Sequence, residues 1–132
     1  MIAALQSAET GHLVLGTLHC SDAQQSFSRI LEFFPRNEHG FIRSSLANSM
    51  RAICCQRLLP GIETGSRLPA TEVLLGNSIV RDRIRTERDQ DIPAIINQST
   101  EEGMRSFTYS LAELIEREFV PYDTAMEYAP NR

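Results

Sequence analysis

The sequence predicts an α/β chain that gives way to an all-helical portion at Gly76, and three observations carry that prediction. A nearly continuous apolar run covers 12–18, and two β-rich stretches lie at 52–59 and 68–75. Helical apolar spacing occurs throughout, but no strand pattern recurs beyond residue 76. With 132 residues, 42% of them hydrophobic, the chain is long enough for a packed core without disulfides or metals.

Residues 5–10 read as the end of a helix, with Gly11 at the position after its C-cap, where a left-handed residue is least costly. The run 12–18 is apolar without alternation, the pattern of a central strand covered on both faces in a parallel sheet. Ser21 and Gln24 have capping-box spacing, and Phe27, Ile30, Leu31 and Phe34 then form one helical stripe that Pro35 stops. After the polar turn at 35–40, Ile42, Leu46, Met50 and Ile53 predict a helix over 40–51. The stretches 52–59 and 68–75, separated by a loop bearing Pro60, Gly61 and Gly65, predict strands joined as a hairpin. Asn77 or Ser78 caps a helix to about residue 85, and Asp91 with Pro93 opens another. Phe107, Leu111, Leu114 and Ile115 give a longer helix, and Ala125, Met126 and Ala129 a last one after Pro121. The organisation is therefore an α/β portion at 1–75 and a helical portion at 77–132, with a hinge expected at Gly76.

Composition removes several function classes. All 13 basic residues are Arg, so lysine Schiff bases, lysine general bases and the phosphate loop G-x-x-x-x-G-K-[ST] are excluded from these residues. A net charge of −4 is opposite to that of a module gripping nucleic-acid phosphates, so no nucleic-acid partner is expected. The apolar run 13–18 is too short to cross a bilayer and is flanked by His12 and His19, so the chain is expected to be intracellular. Cys20, Cys54 and Cys55 have neither zinc-site nor disulfide spacing and read as reduced thiols.

His39 lies in a polar turn and reads as a solvated residue. His12 and His19 bracket the predicted strand, ~23 Å apart along it and on opposite faces, so they do not chelate one metal together, and no metal site is expected. His19 falls at the strand's carboxyl end, where open α/β sheets bind ligands. Two readings stay open for it: a ligand-facing imidazole, or a strand-ending histidine bonded to a neighbouring carbonyl. Arg81, Arg85 and Arg88 share one helical face by spacing. That face is either part of a mixed-charge solvated helix or a docking surface for carboxylates on a partner, another copy of the chain included. No Ser-His-Asp order, paired-carboxylate spacing or glycine-rich phosphate loop supports nucleophilic or glycosidase chemistry.

The stretch AETGHLVLGTLH at 8–19 resembles the histidine box of the secretion-type ATPase superfamily, in its type IV pilus retraction (PilT-like) branch. The resemblance continues in order through Phe34-Pro35, SMRAI at 49–53, QRLLP at 56–60, PATEV at 69–73, EGM at 102–104 and Ala129-Pro130, essentially the whole chain. The stretch IVRDRIRT at 79–86 is similar to the retraction motif A-I-R-N-L-I-R-E, keeping Arg81, Ile84 and Arg85. Asp82, Arg83 and Thr86 depart from it, and Cys20 stands where the box usually ends in Thr.

The resemblance implies a hexameric motor whose RecA-like domain hydrolyses ATP between subunits with Mg²⁺. Such a motor drives pilus disassembly at the cytoplasmic side of the inner membrane, against a membrane platform protein. It makes 1–75 the C-terminal part of the RecA-like domain and 77–132 the helical C-terminal domain. His19, with His12, senses nucleotide state; Arg81, Ile84 and Arg85 carry motor output. The PAS-like domain, phosphate loop, aspartate box and Walker B acid of that family lie upstream of the histidine box, so this chain is expected to be a C-terminal fragment or truncated product. Alone it is expected not to hydrolyse ATP. It is also expected to self-associate through an incomplete sheet. The alternative is a non-catalytic module that docks on a motor hexamer or on the platform protein.

Overall fold

The computed structural model describes residues 1–130, so the last two residues of the 77–132 portion lie outside the described residues. Helix α1 (Ile2–Glu9) comes first, closed by Thr10 and by Gly11 at φ 95°. Helix α2 (Ala23–Leu31) is capped one residue later than the capping-box spacing predicts, because the carboxylate of Asp22, not the hydroxyl of Ser21, accepts from Gln25 N at 2.8 Å. Phe27, Ile30, Leu31 and Phe34 are buried, as their spacing requires. A short 3₁₀ turn (Arg36–Glu38) leads into α3 (His39–Ser49).

Strands β1 (Ala52–Pro60) and β2 (Arg67–Leu75) form the predicted antiparallel hairpin, in register from Ala52 opposite Leu75 to Pro60 opposite Arg67. This is the sheet found among the described residues. The segment 12–20 does not form the central parallel strand its pattern predicts. It lies outside regular secondary structure, with Leu13 and Leu15 at 81% and 87% exposure. The pattern records side chains suited to burial on both faces, but a strand also needs a neighbour for its backbone, and here no described strand lies beside it.

Past the hairpin come α4 (Ser78–Arg85), α5 (Ile92–Gln98), α6 (Phe107–Glu116) and α7 (Tyr122–Glu127). Asn77 caps α4, accepting from Val80 N at 3.0 Å, and Ser106 caps α6. Arg105 makes an isolated bridge to Val73, a strand-like pairing that the sequence beyond residue 76 does not announce.

Two apolar clusters hold these elements. The larger joins Phe27 and Ile30 of α2, Ile42 and Leu46 of α3, Leu74 of β2, Val80 and Ile84 of α4, and Ile92 and Ile96 of α5. The smaller joins Leu59 and Ala70 of the hairpin to Phe107, Leu111, Val120 and Ala125. Each cluster draws side chains from both sides of Gly76, and full burial of each large one contributes about 1.5–3 kcal/mol. Gly76 itself sits at a close backbone approach: its N–H donates to Arg51 O at 2.8 Å, and a Cβ there would lie 2.5 Å from Met50 O. Backbone cannot yield as a flexible side-chain tip does. Gly76→Ala is therefore expected to lower the urea midpoint by the equivalent of about 2 kcal/mol. Gly40→Ala, in α3 where a Cβ meets nothing within 4 Å, is expected to raise it by roughly 0.5–1 kcal/mol.

Candidate functional site

With the strand unformed, the 23 Å separation and opposite-face geometry expected of His12 and His19 do not apply. His12 folds back on the end of α1: its Nδ1 lies 3.2 Å from Ser7 O and 3.1 Å from Thr10 Oγ1. A proton on Nδ1 lets the ring donate to that carbonyl. His19 is exposed at the edge of an open depression of about 270 Å³, which it shares with Cys20, Gln25, Ser28, Arg29 and Glu32. The depression thus lies where the extended segment turns into α2, and Arg29 and Glu32 at its rim are paired with each other. His39 departs from its reading as a solvated turn residue. It opens α3, half-buried, and its Nε2 lies 3.0 Å from Phe34 O, because the chain re-enters a helix one residue before the expected start.

The three residues of the retraction-like stretch are divided between core and surface. Ile84 is fully buried in the larger cluster. Arg81 Nε donates to Gly76 O at 3.2 Å, closing the turn into α4, and Arg85 Nη2 donates to Asn48 Oδ1 of α3. The shared arginine face expected from spacing stops at Arg85. The helix ends there, Glu87 turns left-handed at φ 58°, and Arg88 pairs in the following turn with Asp91 at 2.8 Å.

Sequence reasoning missed the most buried ion pair nearby. Arg43 of α3 is 8% exposed and donates from Nη1 and Nη2 to the two oxygens of Asp89, each at 2.8 Å, and also from Nη1 to Ile84 O at 3.2 Å. The bond to Asp89 raises the Arg43 pKa against burial, which pulls the other way. This fork fixes α3 to the end of α4, directly behind Ile84 and Arg85. The partners are 46 residues apart, and no local pattern links them.

A second group missed from sequence surrounds the start of α2. Glu72 of β2 accepts from Ala23 N at 2.9 Å, alongside Asp22 at the same helix end. Burial pushes the Glu72 carboxyl up, opposed by the bond from Ala23 and the charge of Arg57. Cys55, opposite Glu72 in the register, is pushed up to about 11 by burial first and then by the charges of Glu72, Asp22 and Cys20. Its neighbour Cys54 is exposed.

Comparison with known proteins identifies the class to which this fold and this histidine-bearing segment belong. The family model described as "Type II/IV secretion system protein" matches residues 1–114, and the chain belongs to that family. Among relatives, it is 36% identical over 128 residues to the type IV pilus ATPase PilU of Pseudomonas aeruginosa, covering 97% of this chain and 34% of that protein. It is 32% identical over 126 residues to the type IV pilus retractation ATPase PilT of the same organism, covering 96% and 36%. A crystal structure of the pilus retraction motor PilT with bound ADP superposes with a TM-score of 0.85 at 34% identity, covering 98% of this chain and 36% of that one. The chain spans about a third of the length of the curated relatives it matches. The Legionella pneumophila ATPase DotB, 21% identical with a TM-score of 0.78 over 96% of this chain and 34% of that one, shares the fold. Among the described residues, no helix is long and apolar enough to cross a membrane.

Two measurements check the site's electrostatics. Arg43→Met strands the Asp89 carboxylate and is expected to cost about 3 kcal/mol in chemical denaturation, much of it recovered in Arg43→Met combined with Asp89→Leu. At pH 8 a thiol titrating near 11 is ionised in about one molecule in a thousand, so iodoacetamide followed by peptide mass spectrometry is expected to modify Cys54 while Cys55 waits for denaturant.

Proposed function

We propose that this chain is the nucleotide-sensing and motor-output part of a pilus-retraction-type ATPase. On this reading, 1–75 is the C-terminal part of a RecA-like domain and 77–132 a helical C-terminal domain. The whole protein is a homo-hexamer that uses ATP and Mg²⁺, works at the cytoplasmic face of the inner membrane, and acts on a membrane platform protein. The observation that carries the reading is the superposition on the ADP-bound retraction motor over 98% of this chain at 34% identity. The names of the pilus ATPase relatives agree with it.

The residues present fit one share of that work. An exposed imidazole beside an amide and a hydroxyl, His19 with Gln25 and Ser28, offers donors and acceptors to one edge of a phosphate chain. The chain has no lysine. Phosphoryl transfer in phosphate-loop ATPases leans on a lysine held against the phosphates, and on this reading that lysine comes from residues other than these. His19, with His12 anchored to the end of α1, accordingly reports nucleotide state rather than cleaving the bond. Arg81, Ile84 and Arg85, braced by the Arg43–Asp89 fork, carry the response outward.

A chimera in which this chain replaces the matching third of the Pseudomonas aeruginosa PilT motor tests the proposal. Magnesium-dependent phosphate release is expected from the chimera and not from the 132 residues alone. His19→Ala is expected to lower the chimera's turnover at least about tenfold, whereas His39→Ala leaves it near the starting value. Robust turnover by the chain alone, or full turnover after His19→Ala, overturns the reading.

A further inference from the structure

We infer that Arg57 and Glu72 are positioning residues that clamp the corner after His19 and tie it to the two C-terminal helices. The hairpin register sets Arg57 opposite Ala70 and Glu72 opposite Cys55, which puts Arg57 and Glu72 on one face of the sheet, one diagonal step apart. That is the covered face, since Leu59 and Ala70 on it are fully buried. From there the two side chains reach the same short corner. Glu72 Oε1 accepts from Ala23 N at 2.9 Å, and Arg57 Nη2 donates to Ser21 O at 3.3 Å. His19 lies two residues before Ser21, so these bonds anchor the chain just after it.

Arg57 also holds the opposite side. Its Nη1 donates to Tyr128 O at 2.7 Å, just past the end of α7, and its guanidinium carbon lies 4.2 Å from the centre of the Phe107 ring, the first residue of α6. One planar group therefore touches three segments far apart in sequence. A guanidinium can do this because its two terminal nitrogens serve separate acceptors while its face stacks on a ring; an ammonium has no such plane. A movement of the 12–20 segment that shifts Ser21 has to break the Arg57 contact or carry it along, and with it the ends of α6 and α7. The functional meaning of the clamp rests on the proposed sensing role of His19, but its physical existence does not.

Hydrogen–deuterium exchange on the 132-residue chain, without nucleotide, tests it. Glu72→Ala is expected to speed exchange about fivefold, the worth of one hydrogen bond, at the amides of Ala23 to Gln25 and also at Tyr128 and Ala129 past the end of α7, whereas Glu72 itself also meets the backbone of Phe107 at the start of α6. Glu72→Gln, which keeps an acceptor oxygen, is expected to restore most of the protection. Arg57→Lys, which retains the charge but loses the fork, is expected to loosen both ends together. Amides of α3 are expected to stay at their original rates throughout. Faster exchange confined to residues 23–25 in Glu72→Ala, wild-type rates in Arg57→Lys, or acceleration shared equally by α3 each overturns the clamp. Because no nucleotide enters this measurement, its failure leaves the sensing role of His19 standing. Loss of the His19 effect in the chimera leaves the clamp without a sensor to serve.

Discussion

A nine-pair antiparallel ladder between β1 and β2 is the constraint on which both cores depend. A two-stranded hairpin is marginal alone in water, because one ladder offers little buried area against the entropy of ordering two strands. Here its inner face is shared. Leu74 near one end enters the cluster built by α2 to α5, while Leu59 and Ala70 enter the cluster built by α6 and α7. Ser110 Oγ of α6 accepts from Thr71 N at 2.9 Å, and Arg105 pairs its backbone with Val73. The hairpin thus acts as a common wall. Because the two clusters abut one ladder, a shift in strand register flips the side chains of both at once, and the register is correspondingly well specified.

The same wall organises the candidate site. Its covered face presents Arg57, Cys55 and Glu72 beneath the N-terminus of α2, where burial raises both the Cys55 thiol and the Glu72 carboxyl. The cost of half-burying Glu72 is reduced, though not cancelled, by its bond from Ala23 N and by the guanidinium beside it. On the other side of the larger cluster, the Arg43–Asp89 fork does the equivalent work for α3 and the end of α4. Charged groups therefore stand at the junctions between elements, while the apolar clusters supply the bulk of the stabilisation.

Much of this was legible in the amino-acid order. The hairpin announces itself because β-rich runs flank a loop with Gly61 and Gly65. The α2 stripe follows from Phe27, Ile30, Leu31 and Phe34, since local spacing alone decides which face is buried. The segment at 12–18 fails for the opposite reason: its strand character depends on a neighbour that periodicity cannot supply. Cap position shifted from Ser21 to Asp22 because either side chain satisfies the capping rule and only the backbone path decides between them. Arg43 with Asp89, and Arg57 with Ser21, Tyr128 and Phe107, are contacts between distant positions and leave no trace in any window of sequence. Only Ile84 owes its interest to family resemblance alone; spacing picked out the histidines and the arginine face of Arg81 and Arg85, and left His19 and that face open between two readings each.

Adjacent cysteines on a strand point to opposite sides of the sheet, and here that alternation separates two chemically unequal thiols by a single peptide bond. Cys54 looks outward from the hairpin, while Cys55 stands among the charged groups beneath α2. A fluorophore coupled to the outward sulfur would sit on the far surface of the same two strands, close enough to register strain in the ladder yet clear of the bonds that create it. The molecule carries its own attachment point for an optical gauge.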